Sequence, residues 1–178
     1  DTDTFAIAYK GPSSTNNIKT FTISSNGIIN GVDISGNAGF SLMSSPVSGQ
    51  IYGDLLDELW TGSVTGSDGG SGDPNVWTFN ESGQSWSELT DISASGNSLT
   101  AGQGFLVYVF TDTDDDGDND LPVTLSLTSD VNLSSTVTFP SSGSIGANNW
   151  ALAGNPYAFT IDWDDVTKTN VESVIYVY

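Results

Sequence analysis

The sequence contains no cysteine, no histidine and no arginine, and its only basic side chains are three lysines, at positions 10, 19 and 168. Without cysteine, no disulfide framework can form. Without histidine or cysteine, neither a Ser–His nor a Cys–His nucleophile pair can be built. We therefore expect a protein that is not an enzyme. An acidic glycosidase is a distant alternative, because the glutamates stand in no distinctive context.

Positive charge is scarce against 22 acidic residues, which gives a formal net charge of −19. Nucleic acids and anionic membranes bind basic patches, so we expect neither as a partner. The sequence has no run of about 18 apolar residues, and we expect no membrane insertion. The first residues, Asp1, Thr2 and Asp3, and the Ser/Thr/Gly/Asn-rich composition predict an extracellular or cell-surface protein after signal-peptide cleavage.

Short runs of alternating hydrophobicity, separated by Gly, Asn, Ser and Asp clusters, dominate the chain. This spacing predicts an all-β fold, an antiparallel β-sandwich of jelly-roll or immunoglobulin-like style. In LPVTLSLT (121–128) the alternation places Leu121, Val123, Leu125 and Leu127 inside. The continuously apolar GFLVYVF (104–110) predicts a central strand covered on both faces.

The N-terminal run TFAIAYK (4–10) places Phe5, Ile7 and Tyr9 on one face of a strand. A polar stretch, GPSSTNN (11–17), follows and predicts a linker. We therefore divide the chain into an N-terminal strand (1–10) able to act as a donor arm, a linker (11–17), and a sandwich domain (18–178).

Within the domain, the dipeptide Asn26-Gly27 predicts a hairpin turn between two strands. Leucines recurring at helical spacing in YGDLLDELW (52–60) predict one short helix. A second helical turn is predicted at IDWDDV (161–166).

An internal repeat links GFSLMSSP (39–46) to NWALAGNP (149–156). Each segment has an aromatic residue, a leucine two positions later, and a turn that ends in proline. An acidic amphipathic segment and an aromatic strand follow in both. The pseudo-repeats span 39–111 and 149–178, and the second is the shorter. Its last strand, Val174, Ile175, Tyr176, Val177 and Tyr178, is expected to form an open sheet edge without the usual protecting charges.

The segment from Asn149 to Tyr178 resembles a repeat unit of secreted and cell-surface proteins of Bacteroidetes-type bacteria, written G-W-N-L-x-G-N-P-[YF]…I-D-W…VYxW. The run AGQGFLVYVF (101–110), with the acidic loop and strand after it, is similar to the same group. The resemblance covers residues 39–178 and implies export by the type IX route. It implies no single activity. Members of the group continue beyond the last strand, which agrees with a shortened second unit.

The sharpest local motif is DTDDDGDND (112–120). It matches D-x-D-x-D-G, the first half of a calcium loop, with Asp112, Asp114 and Asp116 at alternate positions before Gly117. Asp118 and Asp120 supply further oxygens. Val123 stands where an EF-hand has its bidentate glutamate, so we expect a structural Ca²⁺ site without the full EF-hand. A bare solvated turn is the alternative. Asp68 and Asp73, in a loop predicted to be flexible, form a much weaker second candidate.

Five tryptophans invite a sugar-stacking interpretation, but aromatic residues on alternating strands are usually core. Trp77 and Trp150 lie in repeat-equivalent strands and are expected to be buried. Trp86 and Trp163 are the better candidates for ligand-binding aromatics on the surface.

These observations predict a structural subunit of an extracellular filament that binds copies of itself. The N-terminal strand would complete the open edge of the next copy, and head-to-tail contacts of this type generate open filaments. The alternative is a Ca²⁺-stabilised adhesion, carbohydrate-binding or spacer module of a larger secreted protein, with glycans as partners.

Overall fold

The computed structural model describes residues 3–10, 16–23, 29–70, 72–127, 136–138, 149–157, 160–169 and 172. These residues form an all-β fold of two antiparallel sheets, as the alternating sequence pattern predicts. The strands are β1 (Asp3–Lys10), β2 (Asn16–Ile23), β3 (Ile29–Ile34), β4 (Gly39–Ser44), β5 (Val76–Asn80), β6 (Ser85–Glu88), β7 (Gly104–Val109) and β8 (Val123–Leu125).

The first sheet has the strand order β1-β2-β3-β8. Strands β1 and β2 are paired over their whole length, from Asp3 opposite Ile23 to Lys10 opposite Asn16. Because β2 begins at Asn16, the predicted linker of 11–17 extends two residues too far. Strands β2 and β3 are antiparallel neighbours, as the predicted hairpin requires, and their turn at Asn26-Gly27 lies outside the described residues.

The second sheet has the strand order β4-β7-β5-β6. Strand β7 lies in its interior and pairs with β4, from Gly39 opposite Val109 to Ser44 opposite Gly104. Its other side pairs with β5, where Trp77 lies opposite Leu106. The long separation in sequence between β4 and β7 is typical of a sandwich, in which neighbouring strands need not be consecutive.

The two sheets face each other across one hydrophobic core. Strand β7 contributes Phe105, Val107 and Val109, while the first sheet contributes Ile34 and Leu125. Alternate residues of each strand enter this core because side chains of a strand project to opposite faces. In the run 121–128, Leu125 and Leu127 are buried, and Leu121 and Val123 pack against the core, which confirms the predicted inward face.

The predicted helix at 52–60 is present as α1 (Tyr52–Leu56), followed by a turn that buries Leu59. Its buried residues pack on the core, and the Tyr52 ring meets Phe105 edge-on at 5.2 Å. At 161–166 the chain makes turns rather than a regular helix. The N–H groups of Asp165 and Val166 donate to carbonyls three residues earlier.

The outer face of β7 differs from the prediction that both its faces are covered. Leu106 and Tyr108 are only half-buried, and Phe110, which follows the strand, is 39% exposed. The outward side chains in the middle of the second sheet are therefore partly open to solvent. A run of apolar residues indicates a central strand, but it does not reveal whether a second layer covers it.

The segment 149–157 lies across one end of the second sheet without forming a named strand. Ala153 makes a lone antiparallel bridge with Gln103, and the N–H of Gly104 donates to the Leu152 carbonyl at 3.2 Å. A side chain at Gly154 would collide with Ser44, so glycine permits this close approach. Within the described part of the chain, no helix is long and apolar enough to cross a membrane.

Candidate functional site

The aspartate loop (112–120) connects β7 of the second sheet to β8 of the first. It follows Phe110 at the end of β7. A hydrogen bond joins the two ends of the loop, since the N–H of Asp120 donates to the Thr111 carbonyl at 2.9 Å. Asp120 also accepts the N–H of Thr113 at 2.6 Å and the Thr113 hydroxyl at 3.1 Å. The loop is therefore fixed at both of its ends by the same residue.

Asp112 organises the interior of the loop. One carboxylate oxygen accepts the N–H of Asp115 at 2.7 Å, and the other accepts the N–H of Gly117 at 2.8 Å. Such Asx-type bonds fold the backbone back on the side chain. The turn requires positive φ at Asp115 (62°) and Gly117 (100°), residue types that adopt this conformation readily.

The carboxylates of this loop repel one another. Partial desolvation and then repulsion from Asp116 raise the pKa of Asp114 above its ordinary value. Repulsion from Asp116 is the largest cause that raises the pKa of Asp118. The pKa of Asp120 is instead lowered, because the N–H of Thr113 donates to its charged form. A bound cation would relieve the repulsion.

The loop's geometry fits a metal ion. Carboxylate oxygens of Asp112, Asp114 and Asp116 all lie within 4.8 Å of one another, as do those of Asp116, Asp118 and Asp120. Oxygens that ligate a hard cation at about 2.4 Å are separated by up to twice that distance, so each set can surround one centre. The five aspartates predicted from the sequence can therefore hold a metal ion, with Asp116 shared by both sets.

The second candidate loop is organised differently from the first. Asp68 accepts the N–H and the hydroxyl of Thr61, each at 2.9 Å. Asn75 fixes the same region, since its side chain accepts the N–H of Gly62 and donates to the carbonyls of Trp60 and Tyr108. Among the described residues, neither Asp68 nor Asp73 belongs to a cluster able to hold a metal ion.

The proposed donor strand is the outermost strand of the first sheet. The ladder places Phe5 opposite Phe21 and Ile7 opposite Lys19, with Tyr9 opposite Asn17. Strand β1 thus pairs with β2 of its own chain on one side, and on the other it has no partner among the described strands. The predicted open-edge strand, Val174–Tyr178, lies outside the described residues.

The solvent exposure of the tryptophan side chains differs in part from the prediction. Trp86 is 45% exposed, and its ring lies 5.2 Å from that of Phe79. Trp163 is half-buried, and the ammonium of Lys168 lies 4.9 Å above its ring in a cation–π contact. Trp150, expected in the core, is 59% exposed, because its segment lies at the end of a sheet rather than inside the sandwich.

Two further features escaped sequence reasoning. The side-chain amide of Gln84 accepts the N–H of Trp150 at 2.7 Å and donates to its carbonyl at 2.8 Å, as a paired strand would. Phe40, on the outer face of β4, is 64% exposed and meets the Tyr108 ring at 5.1 Å. In the sequence, Phe40 and Leu42 fall on the same face of a strand, but the sequence does not show whether that face points to the core or to solvent.

Comparison with known proteins adds no assignment: no protein-family model, no curated protein and no solved structure matches the chain.

Proposed function

We propose that this protein is a non-catalytic structural subunit of an extracellular or cell-surface filament, assembled by β-strand complementation between copies. The observation that carries the proposal is the position of β1. It is an eight-residue strand at the edge of the first sheet, and it pairs with β2 on one side only among the described strands. An edge strand without proline offers a row of backbone groups to another chain.

In this proposal, the open side of β1 pairs with the strand predicted at 174–178 in the neighbouring copy. The contact joins two different surfaces, so it repeats head-to-tail and extends into an open filament. The net charge of −19 keeps filaments apart at low salt, and cations reduce this repulsion.

The ion in the aspartate loop is, in this proposal, Ca²⁺ with a structural role. The donor set consists of carboxylate oxygens, which suit hard cations, and the D-x-D-x-D-G spacing is that of a calcium loop. The loop joins the two sheets, so an ion there stabilises the sandwich end from which β7 passes to β8.

A second candidate function is favoured by the pairing of β1 within its own chain. A chain that needs no strand from a neighbour can serve as a Ca²⁺-stabilised adhesion, carbohydrate-binding or spacer module of a larger secreted protein. The two candidates differ in whether the purified protein polymerises.

Negative-stain electron microscopy and analytical sedimentation of the purified protein, with Ca²⁺ present, test the filament proposal. We expect regular filaments whose amount rises with protein concentration. Ala6→Lys should shift the protein to monomers, since a lysine on an edge strand blocks pairing with another chain. Thr20→Lys is the matched control, because Thr20 is the ladder partner of Ala6 but lies on the inner strand.

A protein that stays monomeric at every concentration would overturn the filament proposal and leave the second candidate function, a module of a larger secreted protein. Equal loss of filaments in both variants would also count against it, because the effect would then not depend on the edge strand.

A further inference from the structure

The outer face of the second sheet carries a cluster of four aromatic side chains, Phe40, Trp77, Tyr108 and Phe110, which we call the aromatic patch. They come from β4, β5 and β7 and from the residue directly after β7. The Phe40 ring centroid lies 5.1 Å from that of Tyr108 and 5.8 Å from that of Trp77. Tyr108 and Phe110 are 4.9 Å apart. The four rings therefore form one continuous surface across three strands.

The patch is in contact with solvent although its composition is that of a core. Phe40 is the most exposed of the large hydrophobic residues described, and Phe110 is also exposed. The outward residues of a sandwich strand are normally polar. Leaving rings in water forfeits about 25 cal/mol for each Å² of apolar surface. Clustered rings that remain exposed at this cost are typical of binding surfaces.

The opposite end of this face is covered by another part of the chain. A side chain at Gly104 would meet Leu152, and one at Gly154 would meet Ser44, so the segment 149–154 packs on the sheet there. Along β4 and β7, the patch begins four residues away from this contact, at Phe40 and Tyr108. The aromatic patch thus lies beyond the reach of this covering segment.

Charge restricts what the patch can bind. Its rim is acidic, because Glu88 lies opposite Trp77 in the ladder and the aspartate loop begins two residues after Phe110. With a net charge of −19, the protein repels nucleic acids, acidic glycans and anionic lipids, and a second copy would bring the same acidic rim. These charges disfavour a negatively charged ligand, and a molecule that offers apolar faces to the rings and hydroxyl donors to the acidic rim matches this surface.

We propose that the aromatic patch binds a neutral polysaccharide chain. Pyranose rings present apolar C–H faces that stack on aromatic rings, and their hydroxyls can donate to carboxylates at the rim. The rings of the patch are tilted by 54° to 81° relative to one another. This ridged surface suits successive sugars of one chain, whose ring planes also differ in direction. The inference rests on the second candidate function and assigns it four rings that were not among the aromatic residues predicted from the sequence. By the β5–β6 register, Trp86 lies on the same outer face as Trp77.

Affinity electrophoresis in native gels that contain a soluble neutral polysaccharide tests this proposal, with separate gels for a glucan, a mannan and a xylan. We expect at least one of them to retard the wild-type protein. Phe40→Ala should weaken that binding by about tenfold, which corresponds to the loss of one aromatic contact. A gel containing polygalacturonate, an acidic polysaccharide, should give no retardation.

Trp150→Ala is the matched control. Trp150 is 59% exposed, close to the 64% of Phe40, and it occupies the equivalent place in the internal repeat at the other end of the sheet. We expect it to bind like the wild type. Both side chains are largely in solvent, so both variants should keep the wild-type melting temperature.

Three results would overturn the proposal. Absence of retardation by all three neutral polysaccharides would reject the glycan-binding module itself. Equal weakening of polysaccharide binding in both variants would reject the aromatic patch as the binding site, while the protein would remain a candidate glycan-binding module. Concentration-dependent self-association in sugar-free buffer, lost in Phe40→Ala, would show instead that a second copy covers the patch.

Discussion

Asn75 shows how a single polar side chain holds an irregular region of this fold in place. It is buried, with 3% exposure, and its amide bonds three backbone groups. Two of them belong to the loop that follows α1, at Trp60 and Gly62, and the third is the Tyr108 carbonyl on β7. The segment after α1 is therefore attached to the second sheet, and Asp68 of the loop predicted to be flexible accepts two hydrogen bonds from Thr61 in that segment.

We expect Asn75→Ala to lower the free energy of unfolding by about 2 to 4 kcal/mol, because it leaves buried backbone groups without partners. Chemical denaturation followed by circular dichroism measures the change. Asn37→Ala, in the exposed bend between β3 and β4, is the control and should stay within about 0.5 kcal/mol of the wild type. A loss no larger than that of the control would show that water replaces the Asn75 amide.

At the scale of single elements, the aspartate loop has a defined backbone fold although its carboxylates repel one another. Three backbone N–H groups bond the Asp112 carboxylate, so the loop folds even though its acids repel one another. The raised pKa of Asp114 means that its charged form is less favourable in the folded protein than in the unfolded chain. Without a cation, the contribution of Asp114 to the stability of the fold is therefore gained as the pH falls through its raised pKa and lost as the pH rises through it.

Asp114→Asn removes one of the repelling charges together with a metal ligand. In chelator at neutral pH, we expect its melting temperature to exceed that of the wild type. Saturating Ca²⁺, at about 100 times the dissociation constant, should raise the wild-type melting temperature by about 5 to 10 °C. The variant should lose most of this increase. Differential scanning calorimetry with and without Ca²⁺ provides both values.

Asp115→Asn is the matched control, since it removes one charge from the same loop but belongs to neither set of converging carboxylates. Asparagine also tolerates the positive φ at this position. If Ca²⁺ raises the melting temperature of both variants equally, the proposal that Asp112, Asp114 and Asp116 hold the ion is contradicted.

For the whole molecule, the dominant quantity is net charge. Twenty-two acidic residues and three basic ones crowd like charges on a small domain, and this self-repulsion opposes the compact state. The same charge keeps copies apart in solution, whether they form filaments or act as separate modules. Screening by salt should therefore affect both stability and association.

We expect the melting temperature in chelator to rise by about 2 to 4 °C, or about 1 kcal/mol, when the ionic strength increases from about 0.01 M to about 1 M. Over that range the screening length falls from about 30 Å to about 3 Å. Repeating the series near pH 4, where about half of the carboxylates are protonated, should reduce the effect. A salt response that is the same at both pH values would rule out carboxylate repulsion as its cause.

Local patterns in the sequence determined the class of fold, the inward face of residues 121–128, the helix near residue 52 and the aspartates of the loop. Each depends on neighbours within a few residues, through strand or helix periodicity or through the spacing of ligands on one turn. The exposed face of β7, the position of Trp150 and the Gln84 contact depend on which strands become neighbours. Strand pairing joins segments that are far apart in the chain, such as β4 and β7. Only the packing of the two sheets decides which apolar face is buried.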